Sequence, residues 1–254
     1  MTEFAVIIPA RFASQRLPGK PLRDIAGKTL IQRTYESVTE SRASLVVVAT
    51  DDRGIADTVQ SFGGRVCMTD EHLQSGTDRV AQAAATLQLE DEMIVVNVQG
   101  DEPDMPGSLI DQVVDALEAQ PEAQLATAAC PLDTPAQYTD ASVVKVVCDQ
   151  NGIALYFSRS PIPHARADAH NKGERVPWQL ARRHIGIYAY RASYLRAFSA
   201  ADPSPLEQAE KLEQLRALSR GDRIVVADAK AIPSPGVDTL QDLEAAIKRF
   251  SQAR

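Results

Sequence analysis

The sequence predicts an α/β fold: a mostly parallel sheet covered by helices on both faces, continued by a mixed C-terminal extension. Three observations carry this reading. Short β-branched runs alternate with longer amphipathic stretches through the first half of the chain. Those runs are apolar without alternation, as strands buried on both faces must be. In the second half the regular alternation gives way to a hairpin signal and to strands interspersed with short helices.

The elements follow in order. Residues 4–9 form a continuous β-type run. Residues 30–41 are helical by the spacing of Leu30, Ile31, Tyr35 and Val38. A second strand spans 45–49 and runs into the polar Thr50-Asp51-Asp52. The helix over 54–62 puts Ile55, Val59 and Phe62 on one face and stops at Gly63-Gly64. A short strand at 65–68, an Ala-rich helix at 78–87 and a third strong strand at 93–98 come next. The helix over 107–119 is closed by Pro121. In the second half, strands over 143–148 and 154–158 flank Asn151-Gly152, a hairpin turn. Residues 164–177 are polar. A strand over 185–190, helices over 193–198 and 205–218, and a strand over 224–227 follow. A last helix covers 239–250, with Asp238 at its N-terminal edge. With no repeat, low-complexity tract or linker, residues 1–254 read as a single domain.

Composition narrows the function. The 254 residues are 44% hydrophobic and 24% charged, the balance of a globular chain. A net charge of -7 excludes a general nucleic-acid binder, which needs a basic footprint. No apolar run approaches the ~18 residues that span a bilayer. Glu3 stands before the first apolar run, with no basic segment, so no signal peptide is expected. Cys67, Cys130 and Cys148 are odd in number and scattered, which fits neither a disulfide framework nor a zinc site. They are expected to be small buried hydrophobes, and the compartment to be the cytoplasm.

In open α/β sheets ligands bind at the carboxyl ends of the strands. That rule singles out the loops after Ile8, Ala49 and Val98. The first loop, residues 9–22, carries Arg11, Arg16 and Lys20 among small residues (Ala10, Ala13, Ser14, Gly19). Small residues admit close backbone approach, and the cations balance charge, so the loop suits a polyphosphate. Its glycine spacing matches neither a Walker A loop nor a dinucleotide fingerprint. Three cations on a loop are often just a solvated surface; the strand-end position and the Gly/Pro punctuation favour a ligand here. Residues 1–28 hold five basic side chains (Arg11, Arg16, Lys20, Arg23, Lys28) against Glu3 and Asp24, a local +3. After the third strand, Gln99-Gly100-Asp101-Glu102-Pro103 places Asp101 where a phosphate site needs a hard cation, although a turn also takes an aspartate. Asp238 by itself reads as a helix N-cap. Ser75-Gly76-Thr77-Asp78-Arg79 can cap a helix whose N-terminus favours anions.

Ile7-Ile8-Pro9-Ala10-Arg11 together with Arg16-Leu17-Pro18-Gly19-Lys20-Pro21-Leu22 closely resembles the signature of the 3-deoxy-manno-octulosonate (Kdo) cytidylyltransferases. Related sugar nucleotidyltransferases usually carry Gly-x-Gly in this loop, where this chain has Phe12-Ala13-Ser14. The likeness continues through Val48-Ala49-Thr50-Asp51-Asp52, Ser75-Gly76-Thr77-Asp78-Arg79 and Val96-Asn97-Val98-Gln99-Gly100-Asp101-Glu102-Pro103. Further on come Tyr156-Phe157-Ser158-Arg159, Arg183-His184-Ile185-Gly186-Ile187-Tyr188, Leu212-Glu213-Gln214-Leu215-Arg216 and Gly236-Val237-Asp238-Thr239.

The resemblance implies a Rossmann-like fold of the nucleotide-diphospho-sugar transferase type. Residues 1–130 would be mainly the nucleotide-binding half, and 131–254 mainly the sugar-binding and dimerisation half. It implies CMP transfer from CTP to the anomeric hydroxyl of Kdo, giving CMP-Kdo and diphosphate for lipopolysaccharide synthesis. Ala10, Arg11, Arg16, Lys20, Ser75, Arg79 and Gln99 would bind the nucleotide. Gln99, Arg159, His184, Tyr188, Glu213 and Gln214 would bind the sugar. Lys20 and Arg16 would stabilise charge on the α-phosphate and the leaving diphosphate, and Asp101 and Asp238 would hold Mg²⁺ as the cofactor. Taken singly, Tyr188 reads as core, Glu213 as a solvated helix face and His184 as a satisfied sheet histidine. No dedicated general base stands out. The expected partners are CTP, Kdo and a second copy of the chain, with no nucleic acid and no membrane. Two alternatives stay open: the same reaction on 8-amino-Kdo, and a nucleotide-sugar glycosyltransferase, which the basic first loop disfavours. A non-catalytic nucleotide-binding module is disfavoured by the presence of Lys20, Asp101 and Asp238.

Overall fold

The structure is a computed structural model that describes residues 2–12, 17–164 and 177–252. Among the described residues nine strands share one sheet, and β2 (Asp24–Ile25) and β3 (Lys28–Thr29) form a separate small hairpin. The parallel half comprises β1 (Phe4–Ala10), β4 (Leu45–Thr50), β5 (Val66–Met68) and β6 (Ile94–Val98), in the order β6-β1-β4-β5. Beyond β6 the sheet continues through β10 (Arg182–Arg191), β7 (Leu125–Pro131) and β11 (Ile224–Asp228). Here β10 runs antiparallel to both β6 and β7, while β11 is parallel to β7. The hairpin β8 (Lys145–Cys148) and β9 (Ala154–Ser158) joins through β8 on β10. Strands from both halves of the chain are therefore interleaved in a single sheet.

The first strand shows why it must be covered twice. Phe4, Val6 and Ile8 project to one face, where they meet α1 (Leu30–Val38), α2 (Arg53–Ser61) and α4 (Gly107–Ala119). Ile7 projects to the other, against α3 (Gly76–Thr86), α7 (Ala192–Ser199) and α9 (Gln214–Ser219). Ile94, Val96 and Val98 of β6 repeat the first pattern and Val95 the second. With apolar side chains on both faces, either layer of helices removed would expose a strand row.

Several elements differ from the sequence expectation. The helix at 30–41 ends at Val38. No strand was expected at Leu125–Pro131, yet β7 lies inside the sheet: its Ala-rich run carries one β-branched side chain, Thr127, too few to mark a strand. The strand expected at 185–190 runs from Arg182 to Arg191. The helix expected over 205–218 is two pieces, α8 (Pro205–Glu210) and α9, broken at Lys211, whose φ of 53° is left-handed. Short helices α5 (Pro135–Thr139) and α6 (Pro177–Leu180) had no counterpart in the sequence pattern. The polar stretch at 164–177 lies mostly outside the described residues. All three cysteines are free; Cys67 and Cys130 are buried, and Cys148 is only partly so.

A third apolar cluster serves the site directly. Leu17, Ile25 and Leu30 pack against Val237, Leu243 and Ala246, which clamps the start of α10 (Leu240–Gln252) onto the first loop. Residues 218 positions apart, Lys20 and Asp238, are thereby brought into contact.

Candidate active site

Because β1, β4 and β6 are parallel, their carboxyl ends open on one edge, and there lies a cavity of about 420 Å³. Pro9, Ala10 and Arg11 line it from the end of β1, and Lys20 and Pro21 from the first loop. Leu73, Ser75, Gly76 and Arg79 come from the start of α3, Gln99, Gly100 and Asp101 from the end of β6, and Asp238 from the approach to α10. The cavity thus gathers Ala10, Arg11, Lys20, Ser75, Arg79 and Gln99, with both expected metal carboxylates. Arg16 lies outside the described residues.

Local chemistry explains these positions. A Cβ on Gly100 would stand 2.8 Å from the Pro9 carbonyl oxygen, so only glycine lets the β6 and β1 ends approach this closely. Ser75 caps α3: Asp78 N–H donates to Ser75 Oγ at 3.0 Å, and Ser75 N–H donates back to Asp78 Oδ2 at 3.2 Å. That end of α3 faces the cavity, where its dipole favours negative charge. Arg79 is 2% exposed. Its Nη2 donates to Asp51 Oδ2 at 2.9 Å and its Nη1 to Thr69, so the guanidinium is held before any ligand arrives.

Lys20 is the centre of the charged end. Its Nζ donates to Asp101 Oδ2 at 2.7 Å and to Asp238 Oδ1 at 3.0 Å. Burial pulls the ammonium's pKa down, and the two carboxylates, Asp101 first, more than reverse it. Asp238 is not the N-cap of α10. Asp242 N–H donates to Thr239 Oγ1 at 3.2 Å, so Thr239 caps the helix and the Asp238 carboxylate turns to Lys20. Behind them Glu102 is pushed up to about 8 by burial and by the charges of Asp101, Asp104 and Asp238. No group of three or more His, Cys, Asp or Glu is arranged to hold a metal among the described residues. Two converging carboxylates in an over-acidic pocket nevertheless fit Mg²⁺, which takes one or two carboxylates and draws its other oxygens from phosphate and water.

Of the residues expected on the sugar side, Gln99 lines this cavity; Arg159, His184, Tyr188, Glu213 and Gln214 do not, and lie beyond it. Gln99 Nε2 donates to Asn97 Oδ1 at 3.4 Å, and Thr77 Oγ1 donates to Glu213 Oε2 at 2.5 Å. Burial raises the Glu213 pKa, against Thr77, Arg216 and Ser75, which favour its ionised form. Gln214 is 4% exposed, and its Nε2 has no hydrogen-bond partner among the described residues, which marks a donor left for a ligand. The rings of His184 and Tyr188 lie 5.6 Å apart. Burial holds the His184 imidazole neutral by lowering its pKa to about 3, and burial together with the Glu213 charge raises the Tyr188 phenol. Arg159 stands farther along, its Nε donating to the Glu210 carbonyl at 2.8 Å and its Nη1 to that of Ala141 at 3.0 Å.

Sequence reasoning missed the supports: Asp51, Thr77, Asn97, Glu210 and Thr127, whose Oγ1 lies 2.9 Å from His184 Nε2. Asn97 left a trace, as a polar residue interrupting the valines of β6. Asp51 sat in a loop singled out for position only. Thr127 left none, because its strand was not recognised.

A family model described as cytidylyltransferase matches residues 5–224. The 3-deoxy-manno-octulosonate cytidylyltransferase of Nitrosococcus oceani is 52% identical, covering 95% of this chain and 94% of that protein. Its counterpart from Pseudomonas fluorescens is 52% identical over 98% of each chain. Among solved structures, a CMP:2-keto-3-deoxy-manno-octonic acid synthetase complexed with CTP superposes with a TM-score of 0.90, at 38% identity over 100% of both chains. A cytidylyltransferase from Leptospira borgpetersenii shares the fold, with a TM-score of 0.64, 18% identity and coverage of 99% and 88%. The chain therefore belongs to the cytidylyltransferase family, among the 3-deoxy-manno-octulosonate cytidylyltransferases.

Proposed function

We propose that this enzyme transfers CMP from CTP to the anomeric hydroxyl of Kdo, releasing diphosphate. The observation that carries the reading is the cavity at the strand ends, with Lys20 set between Asp101 and Asp238. The anomeric oxygen attacks the α-phosphorus in line, the bond to the β-phosphate oxygen breaks, and diphosphate leaves. Such a transfer asks the protein for positioning and charge stabilisation more than for covalent chemistry. Arg11 contacts the nucleotide, and the α3 N-terminus with Ser75 receives its anionic or acceptor groups. Arg79, fixed by Asp51, forms the wall of that pocket. Lys20, at the charged end, stabilises negative charge as it shifts toward the leaving group, with Arg16 from the same loop. Asp101 and Asp238 would hold a magnesium ion, which supplies charge neutralisation for the triphosphate.

On the sugar side, Arg159 takes the carboxylate of Kdo, and Gln99, His184, Tyr188, Glu213 and Gln214 take its hydroxyls. No helix among the described residues is long and apolar enough to cross a membrane. We place the enzyme in the cytoplasm, where its free thiols stay reduced. We propose a homodimer formed through the second half, which exposes Leu155, Leu180 and Leu206; light scattering at micromolar concentration checks it. The activity is tested by diphosphate release from CTP and Mg²⁺ with Kdo, with 8-amino-Kdo and with no sugar. Release that depends on Kdo and yields CMP-Kdo is expected. Release without sugar, or a preference for the amino sugar, overturns the assignment.

A further inference from the structure

The strand β10 is irregular where it carries two of the sugar-side rings. Against β7 its register passes from Ile185 opposite Ala128 to Tyr188 opposite Thr127, so β7 advances one residue while β10 advances three. In a regular strand residues 184 and 188 would stand about 13 Å apart. The irregularity folds their rings to within 5.6 Å. A bulge interrupts the backbone ladder, and the local carbonyls need another donor.

That donor is Thr127, which is fully buried. Its Oγ1 lies 2.7 Å from the Ile187 carbonyl oxygen and 3.2 Å from that of Ile185. The same oxygen lies 2.9 Å from His184 Nε2. A threonine hydroxyl has one proton. Two oxygens at 2.7 Å require that proton between them, and the weaker contact to Ile185 can only share it. The contact with His184 must then be made with a proton from the ring.

We propose that Thr127 is a positioning residue: its hydroxyl closes the bulge in β10 and fixes His184 as the Nε2-protonated tautomer, which leaves Nδ1 as the acceptor offered to a hydroxyl of the sugar. The low pKa of His184 agrees, since a neutral imidazole carries one ring proton and one lone pair. The Phe157 ring, edge-on at 5.1 Å and 79°, limits rotation of the imidazole about this bond. Specificity follows from the direction of the hydrogen bond: the group facing Nδ1 must be a donor. The functional half rests on the reading of His184 as a sugar contact.

The test uses the full-length enzyme labelled with ¹⁵N in its histidines, with His184→Gln to assign the resonance. Long-range proton–nitrogen spectra of the wild type are expected to show His184 as a single neutral tautomer protonated at Nε2. Thr127→Val keeps the shape and removes the hydroxyl. It is expected to mix the tautomers and to raise the KM for Kdo about tenfold, with the KM for CTP within about twofold. Thr127→Ser restores the hydroxyl, and with it the tautomer and the KM. A wild-type ring protonated at Nδ1, or an unchanged tautomer in Thr127→Val, overturns the proposal. Should Thr127→Val unfold, the wild-type tautomer and the Thr127→Ser kinetics still decide it. If the tautomer responds as expected but His184→Gln leaves the Kdo KM unchanged, the sugar-contact reading fails and takes the functional half with it.

Discussion

Replacing Lys20 by methionine separates catalysis from stability. The substitution keeps the apolar stem and deletes one ammonium that bonds Asp101 at 2.7 Å and Asp238 at 3.0 Å. A unit charge pair at 4 Å is worth about 4 kcal/mol gross at an effective dielectric near 20. Two terms take most of that back. The Lys20 side chain is 14% exposed, so its charge has lost much of its hydration, and that of Asp238 is 48% exposed, so its charge is screened by solvent. The net contribution to folding is about 1–2 kcal/mol, too small to unfold the chain. Losing a positioned cation from a phosphoryl transition state costs about 10²–10³ in turnover, as for a single preorganised donor elsewhere. Lys20→Met should therefore melt cooperatively within several degrees of wild type while kcat for diphosphate release falls by about two to three orders of magnitude. Removing the ammonium also leaves Asp101 and Asp238 facing each other, so added Mg²⁺ should raise the melting temperature of the variant more than that of wild type. Turnover within about tenfold of wild type, at saturating CTP and Kdo, would refute the catalytic role.

Other perturbations probe the remaining parts of the site. Asp238→Asn should weaken the dependence of activity on Mg²⁺, moving the midpoint of a magnesium titration about tenfold upward; an unmoved midpoint counts against a metal role. Asp51→Asn removes the carboxylate charge that holds Arg79 Nη2, and the KM for CTP should rise about tenfold with that for Kdo unchanged, measured by varying each substrate in turn. Burial lowers the His184 pKa from its ordinary 6.5 to about 3, so between these values the unfolded chain binds the extra proton. Its contribution to stability is complete above about pH 6.5 and is lost as pH falls toward 3. Urea midpoints across that range should decline more steeply for wild type than for His184→Gln.

How much of this could be read from the sequence depends on the range of the interactions involved. The parallel half was legible because each strand is both an apolar run and a structural unit. The Ile7-Ile8 and Val95-Val96 pairs predict burial on both faces, and Ile7 and Val95 do lie against one helical layer while Val6 and Val96 lie against the other. The rule that ligands sit at strand carboxyl ends then located Lys20, Gln99 and Asp101 at once. The second half depends on partners distant in the chain. Nothing local distinguishes Leu125-Ala126-Thr127-Ala128-Ala129 from a helix or a loop. It is a strand because β10 and β11 supply ladders on either side.

The break between α8 and α9 is similar. Locally, Pro205–Leu218 has helix-forming residues throughout, yet Arg216 folds back on Glu207, its Nε and Nη2 donating at 2.9 and 2.7 Å. That pair sits 7% and 12% exposed and also draws Glu213 to 3.7 Å from the Arg216 guanidinium. A continuous helix would hold residues 207 and 216 more than two turns apart, about 13 Å along its axis, out of reach of a direct bond at these distances. The left-handed turn at Lys211 therefore trades helical hydrogen bonds for an ion pair that orients Glu213 beside Thr77. Net charge misleads for the same reason of scale. The chain total of -7 is an average, whereas Lys20 is set by two carboxylates within 3.0 Å. Electrostatic function at such a site is decided over a few ångströms, within one Debye length, and the +3 of residues 1–28 matters because the fold returns Asp101 and Asp238 to meet it.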